Sequence, residues 1–318
     1  MQDRPLLPAS ETAETVQAAS LRWGLRRLGR GRGERLLLLH GTGSSGDSWR
    51  AVAERLAVDH EVWLPDLPGH GHTQAYADRH ASLPRMADSL AALLAAHDGA
   101  PAFVAAHSAG AAVMLQMVLD RRIAPRGLLS VNGALAPLPG LAQAVFPPLA
   151  RLIAASDWLP RLAARQAARP AALARLIAST GSRLDPADVE RYRSLLTQDS
   201  HVRGALDMMG AWQLDALLAG LPRLRVPLWL AAGTRDGTVP CVQSARLAGR
   251  IPVARYLPLD GLGHLAHEEA PERIADLLRG LMTAQATQTA ATTAGTTPAA
   301  PSATSQPSDC TAADSARA

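Results

Sequence analysis

Ser108 lies in Ala106-His107-Ser108-Ala109-Gly110, a hydroxyl framed by small residues. An apolar run of β type, Phe103 to Ala106, leads in, and a helical run, Ala111 to Leu119, leads out. A strand turning this sharply into a helix strains its central residue and leaves no room for large neighbours. The turn lifts the Ser hydroxyl above the sheet. The next backbone N–H, that of Ala109, falls at a helix N-terminus, where it stabilises a developing oxyanion. A serine nucleophile also needs a base for its proton and a carboxylate to orient that base. Downstream, Val226 to Pro240 is a buried-strand pattern ending in a loop that carries Asp236. Arg255 to His264 is a second strand pattern, followed by a loop carrying His264. Upstream, Leu36 to His40 runs into Gly41-Thr42-Gly43, a loop whose Thr42 or Gly43 N–H is placed to be a second oxyanion donor.

Each residue also has a plainer reading. Ser108 serves as a small helix cap and Asp236 as a turn residue. An acid after the strand ending at Asn132 would compete with Asp236, but Gly127 to Ala150 has no charged residue. His264 and His267 stand three apart, as two metal ligands do, but no HExxH pattern or third ligand accompanies them. Gly41-Thr-Gly43-Ser-Ser-Gly46 has the G-x-G-x-x-G spacing of a dinucleotide loop, with Asp66 about 20 residues on. Only its reading as an oxyanion loop also accounts for Ser108, Asp236 and His264. His40, His70 and His72 are read as shaping loops near the pocket mouth. The expected chemistry needs no metal and no cofactor.

The chain order Ser, Asp, His is that of the alpha/beta hydrolases, and the sequence resembles that superfamily from about Leu36 to Met282. His40-Gly41, Asp66-Leu-Pro-Gly-His-Gly71, the turn at Ser108, Asp236, and Gly263-His264 with Glu269 and Pro271 carry the resemblance. Ala106 stands where Gly is commonest. Further wording, in Leu39-His-Gly-Thr-Gly-Ser-Ser, Val131-Asn-Gly-Ala-Leu and Gly261-Leu-Gly-His-Leu-Ala-His-Glu-Glu, is similar to the bacteriochlorophyll-biosynthesis hydrolases of purple bacteria, the magnesium-chelatase accessory proteins. The resemblance implies an α/β fold with a mostly parallel eight-stranded sheet flanked by helices, and a helical cap inserted after the sixth strand. It implies Ser108, Asp236 and His264 as catalytic residues, with Thr42 and Ala109 as oxyanion donors.

Composition narrows the alternatives. At 318 residues and 47% hydrophobic content, the chain suits one α/β domain with an insertion. All 32 basic residues are Arg, so a P-loop, a Tyr-Lys reductase and any Lys Schiff-base chemistry are excluded. The net charge of +4 comes without a basic helix interleaved with aromatics, so no nucleic-acid partner is expected. Two cysteines, Cys241 and Cys310, offer no disulfide framework, and Cys241 is expected to be a buried, inert thiol. Met1 to Ser20 has no apolar core segment, which points to a cytoplasmic chain. Pro137, Pro139, Pro147 and Pro148 break the charge-free stretch as a spanning helix, so no transmembrane segment is expected.

The elements that must position these groups follow from periodicity. Residues 1–20 are expected to be a flexible N-terminus, and Leu21 to Leu28 an edge strand. The core is assigned to 21–136 and 223–282, the cap to 137–222, where strand rhythm gives way to helical patterns such as Leu149–Ala155, Leu159–Ala168, Ala171–Ser179 and Pro186–Leu196. Residues 283–318, rich in Ala, Thr, Ser and Pro, are expected to be a disordered tail. The cap carries Arg151, Arg161, Arg165, Arg169, Arg175 and Arg183 against only Asp157 between Ala142 and Arg183. Exposed helix faces explain that. So does attraction of an anionic substrate such as a porphyrin, of a partner such as magnesium chelatase, or of a membrane surface. If the cap takes such a ligand, the leucines of Leu149–Ala155 and Leu159–Ala168 line the pocket and the arginines ring its mouth. Two functions stay open: a serine hydrolase acting on an ester, thioester or amide, or an accessory protein that keeps a hydrolase fold and docks to the chelatase or its porphyrin.

Overall fold

Strand β3 (Arg35–Leu39) sends Leu36 and Leu38 into one core cluster and Leu37 and Leu39 into the other. A strand covered on both faces must read as an unbroken apolar run, because alternate side chains meet different layers. The computed structural model describes residues 13–136, Ser156 and residues 159–293. Its eight strands run in the order β1-β2-β4-β3-β5-β6-β7-β8. β1 (Glu14–Ala18), β2 (Leu21–Leu28) and β4 (Glu61–Pro65) pair antiparallel in turn. β3, β5 (Phe103–His107), β6 (Gly127–Val131), β7 (Leu228–Gly233) and β8 (Ala254–Leu259) extend the sheet in parallel from β4.

Helices α2 (Leu83–Ala96) and α3 (Ala109–Leu119) cover one face through Met86, Leu90, Leu93 and Met114. Helices α1 (Arg50–Leu56) and α11 (Pro271–Thr293) cover the other through Val52, Leu56, Ile274 and Leu278. Trp23, Trp49 and Trp63 are fully buried, so the few aromatics are spent in the core. Between β6 and β7, as expected, the chain leaves the sheet. It builds α4 (Leu159–Ala167), α5 (Pro170–Ser179), α6 (Pro186–Leu196), α7 (Asp199–Ala211) and α8 (Asp215–Gly220). The expected helix Leu149–Ala155 and most of the expected tail lie outside the described residues.

The structure departs from the sequence reading in three places. The edge strand is β1, inside the segment expected to be flexible; β2 is its inner neighbour. Glu14 pairs with Arg27 and Arg30, and the Trp23 indole donates to the Ala18 carbonyl at 3.0 Å, which ties down a short strand of mixed polarity. Helix α11 runs on to Thr293, past the expected start of the tail. Ala, Gln and Thr there sustain helical geometry, and the Thr283 and Thr287 hydroxyls donate back to the carbonyls of Arg279 and Thr283. Cys241 is buried but disulfide-bonded rather than a free thiol; the chain's other cysteine, Cys310, lies outside the described residues. No helix among the described residues is long and apolar enough to cross a membrane.

Candidate active site

Ser108 takes φ 50° and ψ −121°, between the end of β5 and the first residue of α3. That backbone state is costly for a residue with a side chain and survives only when its surroundings hold it. Here the Ser108 N–H donates to the Val131 carbonyl of β6 at 3.1 Å, while its carbonyl accepts from Ala111 and Ala134. The small neighbours are obligatory. A Cβ on Gly110 would lie 3.0 Å from the Leu39 carbonyl and nearer still to that of His40. Ala106 is fully buried in the sheet.

The base and the acid arrive from neighbouring strand ends. His264, in the loop after β8, places Nε2 3.1 Å from Ser108 Oγ and Nδ1 2.8 Å from Asp236 Oδ2. Asp236, in the loop after β7, has a fully buried side chain. Its Oδ1 accepts from the N–H groups of Thr238 at 2.7 Å and Val239 at 2.8 Å. Its Oδ2 also accepts from Asn132 Nδ2 at 2.7 Å. With Oδ2 acting as acceptor, the network assigns the His264 proton to Nδ1 and leaves Nε2 to accept from the Ser hydroxyl. The three residues singled out in the sequence therefore meet in one relay.

Thr42 and Ala109 flank that relay. Ala109 opens α3, so its N–H is among the helix donors with no partner in the preceding turn. Gly41 packs so closely on the turn that an added Cβ would lie 2.8 Å from Ser108 Cβ. Thr42 follows it, its hydroxyl reaching Met208 Sδ of α7 at 3.2 Å. His40 fixes this loop. Its Nε2 accepts from the Leu67 N–H at 2.8 Å and its Nδ1 donates to the Gly41 carbonyl at 2.8 Å. Burial holds His40 neutral, with its pKa down to about 3. Asp66 accepts from the N–H groups of Gly46 and His72, and burial pushes its carboxyl up to about 6. His70 is buried and His72 exposed; the His70 ring lies tilted against His40 and edge-on to His201 of α7. His267 is fully buried between the rings of Trp49 and His107. Among the described residues no group of three or more His, Cys, Asp or Glu is arranged to hold a metal.

Three features were not singled out from the sequence. Asn132 is one; a polar residue closing the buried run of β6 was the available signal. The second is the cap segment after α5. The Thr180 carbonyl accepts from both Gly237 and His264 N–H groups, at 3.1 and 3.0 Å, and Ser182 Oγ accepts from Leu265 N–H at 2.8 Å. One stretch of cap thus ties the acid loop to the base loop. The third is a buried polar knot. Tyr192 and Arg191 of α6 donate to Glu268 at 2.7 and 2.9 Å, and the Tyr192 oxygen lies 3.4 Å from Ser44 Oγ. Burial pushes the Glu268 carboxyl up to about 7, partly offset by Tyr192 and Arg191. These long-range contacts had no local sequence signal. Of the leucines expected to line a pocket, Leu162 instead faces solvent at 47% exposure, and those of Leu149–Ala155 lie outside the described residues.

Comparison with known proteins fits this geometry. A family model described as alpha/beta hydrolase fold matches residues 34–271. The chain is 37% identical over 271 residues to the Magnesium-chelatase 30 kDa subunit of Rhodobacter capsulatus, covering 85% of this chain and 94% of that protein. It is 26% identical to a Pimeloyl-[acyl-carrier protein] methyl ester esterase of Aeromonas salmonicida, covering 78% of this chain and 95% of that one. A thermophilic esterase from Thermogutta terrifontis superposes with a TM-score of 0.66 at 21% identity, over 86% of this chain and 97% of that chain, a likeness of fold.

Proposed function

This chain belongs to the alpha/beta-hydrolase family, and from that premise we propose that it is a serine hydrolase acting on an ester, thioester or amide, in association with the magnesium-chelatase step of bacteriochlorophyll biosynthesis. The observation that carries the catalytic half is the relay from Ser108 Oγ through His264 to Asp236, at 3.1 and 2.8 Å. Ser108 Oγ attacks the carbonyl carbon while its proton passes to His264 Nε2. The oxyanion is held by the N–H groups of Thr42 and Ala109. Asp236 stabilises the imidazolium through Nδ1–H and does not itself take the proton. The C–O, C–S or C–N bond then breaks as His264 protonates the leaving group. Water, deprotonated by the same imidazole, attacks the acyl-Ser108 and regenerates the hydroxyl. No cofactor enters these steps.

The pathway half is supported by 37% identity to a protein named as a magnesium-chelatase subunit. That likeness also favours a second reading, an accessory protein that docks to the chelatase or binds its porphyrin. A fluorophosphonate probe separates the two. It is expected to label the wild type and not Ser108→Ala, with His264→Ala slower by orders of magnitude, since such residues act as a unit. Equal labelling of wild type and Ser108→Ala would remove the nucleophile assignment and leave the accessory reading. Titration with protoporphyrin and its dimethyl ester tests the porphyrin directly: binding of both, tighter for the free acid and weaker at high salt, supports it.

A further inference from the structure

Helices α4 and α5, with the turn between them, hold Arg161, Arg165, Arg169 and Arg175 and no acidic residue. Codon preference accounts for Arg in place of Lys, but not for the missing carboxylates. In the next helix arginines are matched: Arg191 pairs with Asp188 and Glu268, and Arg193 with Glu190. Arg165, Arg169 and Arg175 are all exposed, and no carboxylate pairs with them among the described residues. The two large hydrophobic side chains exposed on the described surface are here as well, Leu162 at 47% and Leu176 at 52%. Ala171, Ala174 and Ala178 are exposed alongside them. At the turn lies an open depression of about 550 Å³, lined by Gln166, Ala167, Arg169, Ala171, Ala172 and Arg175. Its floor is apolar and its rim carries two guanidinium groups.

We propose that the α4–α5 face docks on the surface of an anionic lipid bilayer. Leu162 and Leu176 enter the headgroup boundary, Arg165, Arg169 and Arg175 meet lipid phosphates, and the alanine-floored depression receives a headgroup. The charge pattern selects an anionic occupant. The distribution of apolar groups selects a bilayer over an acidic protein. A stable protein interface buries about 800 Å² per partner around a charge-depleted apolar core. Here single leucines alternate with long cationic side chains on two short helices, the arrangement of an interfacial segment whose arginines snorkel. Docking makes no use of Ser108, so the proposal is independent of the catalytic reading.

Co-sedimentation of the full chain with vesicles tests it, using phosphatidylcholine alone and phosphatidylcholine mixed with phosphatidylglycerol. The expected result is binding to the mixed vesicles only, weakened by high salt. Each arginine near an anionic surface raises partitioning roughly fivefold, so Arg165→Ala/Arg169→Ala/Arg175→Ala together should lower it roughly a hundredfold. Leu162→Ser/Leu176→Ser should weaken binding at every salt concentration. Ser108→Ala should bind as the wild type does. Unchanged thermal unfolding and fluorophosphonate labelling of the surface variants show that they are folded. Binding that ignores phosphatidylglycerol, or that survives the triple substitution in folded protein, would overturn the proposal. Arginine-dependent capture by an acidic protein without any vesicle binding would also overturn it, and would assign the face to a protein partner.

Discussion

Replacing Glu268 by Gln should flatten the fall in stability of this protein between pH 4.5 and about 7. The Glu268 side chain is 1% exposed, and burial raises its carboxyl from 4.5 to about 7. The folded state thus holds a proton that the unfolded chain releases across that window. Stability from this group is fully present below pH 4.5 and is lost as pH rises through about 7. At about 1.4 kcal/mol per tenfold change in proton affinity, the loss is about 3 kcal/mol, or a Tm change of roughly 6 °C for a fold of this size. Gln cannot titrate, still accepts from Tyr192, and leaves Arg191 with Asp188. Thermal unfolding followed from pH 4 to pH 8.5 should therefore show a gap between variant and wild type that widens with pH by about 3 kcal/mol. The constant part of the gap is uninformative, and a residual slope from Asp66, raised to about 6, remains in both proteins. Parallel curves would refute the reasoning, because they would mean that Glu268 takes up no extra proton on folding.

Other perturbations test the site itself. Asp236→Asn should keep the fold and cut labelling or turnover by about 10⁴-fold, because the imidazole loses its counter-charge and its correct tautomer. Asn132→Gly removes one donor to Asp236 Oδ2 while accepting the φ of 51° found there. A loss of about 1.5–3 kcal/mol in kcat/KM is expected, about 10- to 100-fold, and an unchanged value would make Asn132 a bystander. Gly181→Ala places a side chain at φ +76° and against the Arg235 backbone, and should cost about 1–3 kcal/mol of stability and slow labelling of Ser108. Under reducing conditions, which open the Cys241 disulfide in both proteins, truncation after Thr283 should leave Tm within about 2 °C of the full chain, since among the described residues the last buried core residue is Met282.

What the sequence disclosed divides by physical range. Strands covered on both faces declare themselves as apolar runs, which is why β3, β5 and β6 were legible within a residue or so and β7 within two at its start. Ser108, Asp236 and His264 were legible because strand-to-loop transitions mark where a parallel sheet presents its groups. β1 was hidden: Thr15 and Gln17 face solvent as a half-buried strand requires, but Glu14 stands on the same face as Val16 and Ala18, where an apolar residue would have completed the alternation. Asn132, Thr180 and the Tyr192–Glu268 knot were hidden for another reason. Their roles depend on partners 57 or more positions away, and a backbone carbonyl such as that of Thr180 has no side-chain signature at all.

Thr180 is also the C-cap of α5, the helix that carries Arg175 and Leu176 on the outside of the cap. Its carbonyl holds the His264 backbone at 3.0 Å, and His264 in turn sits 3.1 Å from Ser108 Oγ. The helix is therefore a lever with one arm at the solvent face and the other at the imidazole. Hydrogen-bond geometry tolerates only tenths of an ångström before strength is lost, so a small tilt of α5 changes how readily the serine gives up its proton. Under the proposed mechanism, whatever holds the outside of the cap adjusts the gearing of the reaction beneath it.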